Sequence, residues 1–131
     1  MFPERLLEAE SLRPVPGGFT AALRLTWYRA LPLSCIERIT VTIDGQQVEQ
    51  DAVRFSLGPV GPLPVAALAP LTDTWWYVLD SALLSVESAA AGEPGVHEIS
   101  VVMGLHIPYL PVGGKPLVNL DTCAKQLEVA A

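Results

Sequence analysis

At 131 residues the chain has the size of one domain, long enough for a single core of its own. Fourteen Asp and Glu against eight Lys and Arg give a net charge of −6, the wrong sign for nucleic-acid phosphates or an anionic membrane face. Only 17% of residues are charged while 50% are hydrophobic, and no apolar run approaches the ~20 residues of a membrane helix. The surplus apolar surface points to burial against another protein subunit, with a dense, Ala-rich core as the other reading.

The N-terminal "MFPERLLEAESL" lacks the basic start, apolar middle and small-residue cleavage site of a signal peptide, so the expected location is cytoplasmic. It reads as a short helix or an N-terminal strand. "FTAALRLTWY" follows with a period of two: Phe19, Ala21, Leu23, Leu25 and Trp27 share one face, and Thr20, Arg24, Thr26 and Tyr28 the other. The Pro-bent connector Ala30 to Ile36 has no period at all. "ERITVTI" resumes alternation with Ile39, Val41 and Ile43 inward, and Asp44-Gly45 makes a two-residue hairpin turn into a short partner strand, Gln46 to Glu49. "AVRFSLG" adds Val53, Phe55 and Leu57. Four prolines and two glycines in "GPVGPLPVAALAPL" argue against any regular element there, and its apolar residues suggest a loop pinned to the core.

"TWWYVLDSALLSVE" sets Trp75, Tyr77 and Leu79 against Trp76 and Val78, and resumes at Leu84 and Val86 after a bend near Asp80-Ser81. "VHEISVVMGLHI" is the strongest strand, with His97, Ile99, Val101, Met103, Leu105 and Ile107 on one face. Pro108 and Pro111 are expected to end it, "VGGKP" to be a mobile link, and "CAKQLEVA" to be a last edge strand. Six to eight short strands with regular turn signals and no βαβ alternation predict an all-β single domain: an antiparallel β-sandwich, jelly-roll-like in character.

Catalytic chemistry is hard to assemble from these residues. His97 and His106 fall on opposite faces of a regular strand, and His106 with Glu98 falls short of the ligands a metal centre requires. Cys35 lies among Leu33, Ile36 and Glu37, surroundings that raise a thiol pKa, so it reads as a small buried apolar residue. Cys35 and Cys123 fit no metal spacing and are expected to be reduced. Gly17-Gly18 and Gly113-Gly114 lack the context of a phosphate loop. The consecutive rings Trp75, Trp76 and Tyr77 must split between two faces. One set fills the core, and the other is an exposed platform for sugar stacking or an interface anchor.

"YRALPLSCIERITVTIDGQQV", "LTDTWWYVLDSALLSVE" and "GVHEISVVMGLHIPYLP" together resemble the small β subunit of bacterial C-glycoside deglycosidases, over residues 19 to 112. The run Tyr28 to Glu37 is the most specific element, and residues 113 to 131 fall outside the resemblance as a tail or edge strand. The resemblance implies a two-subunit lyase acting on 3-oxo-C-glycosides of aromatic aglycones such as flavonoids. The larger partner would be a TIM-barrel α subunit of the xylose isomerase-like type. It would carry the catalytic base and a divalent metal, usually manganese, and most of the substrate contacts, in an assembly of αβ pairs. No catalytic residue and no cofactor is then expected in this chain. On that footing Tyr28, Arg29, Leu31, Pro32, Leu33 and Ile36 form an apolar ridge that docks on the partner, and Trp75, Trp76 and Tyr109 extend it or border the aglycone pocket. Two alternatives stay open: the connector crosses from sheet to sheet through the core, and the chain is a stand-alone carbohydrate-binding sandwich.

Overall fold

The structure, a computed structural model, describes residues 1–130, with backbone alone at 111 and 112. Eleven strands run in chain order: β1 (Arg13–Val15), β2 (Gly18–Leu23), β3 (Leu31–Pro32), β4 (Ile36–Ile43), β5 (Gln46–Gln47), β6 (Val53–Leu57), β7 (Val60–Pro64), β8 (Trp75–Trp76), β9 (Ala82–Glu87), β10 (Gly95–Val112) and β11 (Lys115–Val129). They pair antiparallel into a five-stranded sheet ordered β1-β2-β9-β6-β7, a four-stranded sheet ordered β11-β10-β4-β5, and a two-stranded ribbon of β3 and β8. The helical elements among the described residues are five short 3-10 segments, and none is long and apolar enough to cross a membrane.

The β-sandwich follows from the alternation. Phe19, Ala21 and Leu23 on β2, Val53 and Phe55 on β6, and Leu84 and Val86 on β9 form one buried layer. Ile39, Val41 and Ile43 on β4 and Ile99, Val101, Met103, Leu105 and Ile107 on β10 form the other, and all belong to a single core. Each fully buried aliphatic side chain contributes roughly 1.5–3 kcal/mol relative to exposure. Strand β10 is the spine of its sheet: Ile99 to Leu105 pair with β4 on one side and β11 on the other. Asp44 and Gly45 both take positive φ, 50° and 85°, which closes the β4–β5 hairpin as expected.

Four expectations are corrected. The N-terminal segment is neither helix nor strand: Pro3–Arg5 makes one 3-10 turn and Leu7 bridges to Leu23, which buries Leu6 and Leu7. The Pro-rich segment does contain a strand, β7, because at the sheet edge a proline has no ladder bond to lose on its open side. Pro108 and Pro111 do not end β10, which continues to Val112 through an irregularity between Ile107 and Pro111. "VGGKP" is no mobile link either, since Gly113 and Gly114 at φ 60° and 80° close a tight hairpin. The expected final edge strand is present and longer, running Lys115–Val129.

Candidate functional site: an aromatic ribbon and corner

The ribbon settles which ring faces which way. Leu31 pairs with Trp76 and Pro32 with Trp75, and cross-strand partners share a face. Leu31 and Trp76 are 2% and 1% exposed, whereas Trp75 is 45% exposed. The Trp76 indole N–H donates to the Asp80 carbonyl at 2.9 Å, so its one polar atom is satisfied inside. On the outer side Tyr77 and Leu79 continue the open apolar surface, and Leu79 is 81% exposed. Trp75, Tyr77 and Leu79 line a groove of about 540 Å³ with Leu57, Pro59 and Val60.

The apolar ridge is corrected by burial. Leu31, Leu33 and Ile36 lie in the core with Cys35, and so does Trp76, so none can be a surface anchor. The Leu33 N–H donates to the Thr74 carbonyl at 2.8 Å and the Ser34 N–H to that of Leu71 at 3.1 Å, tying the connector down through its backbone. It is a core crossing between sheets. Burial pushes the Cys35 thiol pKa up, as expected of a core residue. Of the nine predicted contact residues, Tyr28, Arg29, Trp75 and Tyr109 are exposed and Pro32 is half-buried.

Tyr28, Arg29 and Tyr109 converge with Trp27 at a corner of the molecule. Opposite Ile107 and Pro111 on β10 stand Leu117 and Pro116, consecutive on β11, so Pro108, Tyr109 and Leu110 bulge out of the ladder. The bulge carries Tyr109 to the bend after β2, where the Trp27 indole N–H donates to Tyr109 Oη at 2.6 Å. The Arg29 guanidinium carbon lies 4.9 Å from the Tyr109 ring centroid, and the Trp27 and Tyr28 rings are 5.3 Å apart, tilted by 42°. Burial pushes the Tyr109 phenol pKa up and the Tyr28 hydroxyl adds to the rise, against the Trp27 N–H and Arg29. The phenol is therefore a neutral donor at neutral pH.

The polar residues form pairs elsewhere. His97 Nδ1 lies 2.7 Å from Asp44 Oδ2 and Nε2 2.7 Å from the Glu93 carbonyl, while the Glu98 N–H donates to Asp44 Oδ1 at 2.8 Å. The Glu93 carbonyl, and Asp44 after it, hold the His97 pKa above its ordinary value. The His97 ring and the Glu98 N–H hold the Asp44 carboxyl low. His106 Nδ1 sits 3.3 Å from Glu37 Oε1 on the open face of the four-stranded sheet, and Arg24 Nε 3.1 Å from Glu8 Oε1. Among the described residues no three His, Cys, Asp or Glu side chains gather as metal ligands.

Comparison with known proteins places this architecture. A family model described as C-glycoside deglycosidase beta subunit matches residues 4–109. The chain belongs to the C-glycoside deglycosidase beta subunit family. It is 38% identical over 129 residues to the 3'-dehydrocarminate deglycosidase beta subunit of Microbacterium sp, covering 98% of this chain and 96% of that one. The C-glycoside deglycosidase beta subunit of Microbacterium trichothecenolyticum is 32% identical over 121 residues, 92% of this chain and 91% of its own. One from Arthrobacter globiformis is 34% identical over 110 residues. The family match starts well before residue 19, so the N-terminal turn that buries Leu6 and Leu7 is part of the shared domain. As a beta subunit, the family implies a partner alpha subunit.

Sequence reasoning placed Tyr77 in the exposed aromatic platform but not among the ridge residues, and it missed the outward Leu79, although its alternation with Trp76 was visible. It also missed Trp27 as the residue that holds Tyr109. The prolines flanking Tyr109 were the available signal, because a proline on each side marks a break in the ladder.

Proposed function

We propose that this chain is the small subunit of a cytoplasmic carbon–carbon lyase that releases an aromatic aglycone from 3-oxo-C-glycosides, the larger TIM-barrel partner supplying the base and a divalent metal. The observation that carries the reading is the outward face of the ribbon. Trp75 and Tyr77 are half-exposed on a chain whose relatives, matched nearly end to end, are named as subunits. Aromatic residues at the centre of an interface supply most of its energy. The name of the Microbacterium sp relative specifies a 3'-dehydro substrate, in keeping with a sugar already oxidised at that carbon.

The chemistry explains why such a substrate suits a lyase. A ketone at C3 acidifies the C2 proton, which passes to a base. The C2–H electron pair becomes the C1–C2 double bond as the C1–aryl bond breaks, and the aryl carbon leaves with the electron pair of that broken C1–aryl bond and takes up a proton. The contribution of this chain is to cover the partner's pocket, exclude water and so strengthen the electrostatics inside. A rigid ribbon does so with little entropy loss on docking.

Co-expression with the partner tests this. The two chains should co-purify at a fixed ratio and release aglycone from a 3-oxo-C-glucoside, and neither should do so alone. A soluble, monodisperse single chain that is retained by immobilised sugar and ignores the partner would instead make the Trp75–Tyr77 platform a carbohydrate-binding surface.

A further inference from the structure

We propose that the Tyr28–Arg29–Tyr109 corner is a binding site for a planar aromatic ring carrying acceptor or ionised oxygens; if the chain is a lyase subunit, that ring is the aryl part of its substrate. The ligand's identity thus rests on the β-subunit reading, and the site itself on geometry.

Three features define the chemistry. The first is the Tyr109 hydroxyl. Its oxygen already accepts the Trp27 indole N–H at 2.6 Å, so its own proton is left for the adjacent Tyr28 hydroxyl or a bound acceptor. The second is Arg29. One face of its guanidinium covers the Tyr109 ring at 4.9 Å, and among the described residues it has no ion pair, although the chain carries fourteen acidic residues. An exposed guanidinium with an aromatic ring on one face offers the other to a second planar ring, and its N–H edge to an anionic oxygen. The third is the Tyr28 ring, 51% exposed and tilted on Trp27, which supplies an apolar wall.

The fold builds this corner at a local cost. Three residues leave the β10–β11 ladder to carry Tyr109 there, and such bulges re-aim side chains next to functional sites. A core role would not explain the excursion, because Tyr109 and Leu110 remain exposed after it. A sugar ring would find one apolar wall but no use for a guanidinium face. An oxygenated aromatic uses all three.

Two measurements test the site. On the full chain alone, titration with a trihydroxyflavone should quench tryptophan fluorescence saturably, with unsubstituted flavone several-fold weaker and glucose without effect. Tyr109→Phe and Arg29→Gln should each weaken the hydroxyflavone about tenfold, the loss of one hydrogen bond or stacking contact. Val118→Thr, on the exposed β11, should not change it. In the assembled enzyme the same two variants should raise KM about tenfold with little effect on kcat, at unchanged subunit ratio. Absence of saturable quenching, or equal binding by both variants, overturns the site. So does loss of subunit association in Arg29→Gln, which would make the corner a partner contact. If the unaltered chains never assemble or turn over, the lyase reading fails, and the titration on the single chain still decides the site.

Discussion

Trp76 packs edge-on against Phe55, with ring centroids 5.4 Å apart and planes at 69°. The contact anchors the two-stranded ribbon to β6 of the five-stranded sheet, so the ribbon is held by the core and not merely attached to its rim. Trp76→Ala should therefore cost about 3–5 kcal/mol, the range for deleting a buried aromatic. Trp75→Ala, one residue away and exposed, should stay within about 0.5 kcal/mol. Urea unfolding of the two variants side by side reads the difference. Equal losses would mean that the ring on the outside is also structural.

A second expectation concerns backbone approach. A Cβ at Gly18 would lie 1.8 Å from the Val86 carbonyl oxygen, a backbone atom of the paired strand β9. Gly18→Ala must push the strands apart and should cost about 3 kcal/mol or more. A Cβ at Gly92 meets nothing within 4 Å, so Gly92→Ala should be neutral or slightly stabilising. Thermal melts of the pair check both.

The sheets were legible because their residues alternate. Ile99 to Ile107 and Phe19 to Leu23 announce an inward face whatever lies opposite them, and the tryptophan pair announces that one ring must face out. The connector was not legible, for a physical reason. Leu31, Leu33 and Ile36 carry no period, and what decides their fate is a backbone pairing with Thr74 and Leu71 far along the chain. Local pattern cannot distinguish a proline-bent segment that crosses a core from one that stands proud of it. The Tyr109 corner was half legible: the prolines show that the ladder breaks, but not that the break delivers a phenol to Trp27.

The latch between Asp44 and His97 should make stability depend on pH. Both ring nitrogens of His97 meet acceptors, so the folded state favours the charged imidazolium and its pKa lies above the ordinary 6.5. The stability it lends is fully present below about pH 6.5 and is lost as pH rises through the raised folded value. Asp44 is shifted the other way. Its contribution is present above its ordinary 3.8 and is lost as pH falls through the lowered folded value. Urea midpoints should thus be higher near pH 5.5 than near pH 9, and Asp44→Asn should flatten that slope. Glu93 and Glu98 flank the pair, and Glu93→Gln should leave most of the slope in place, because the 93 contact is a backbone carbonyl. A slope unchanged in Asp44→Asn would remove the latch as its source.

Association with a partner should discriminate between the two sides of the ribbon. Leu31→Asp puts a charge into a site that is 2% exposed and should abolish folding, so loss of complex in that variant says nothing about an interface. Trp75→Ala and Tyr77→Ser change only the outward face and should leave the urea midpoint where it was. If that face docks on the larger subunit, each should weaken association by about 1–3 kcal/mol, seen as faster dissociation of the purified complex. Leu79→Ser should add to the effect, since Leu79 borders the same groove. Folded variants that bind as tightly as the parent would move the interface elsewhere, and the open face of the four-stranded sheet, where Val118 and Leu120 are exposed, would be the next surface to mutate.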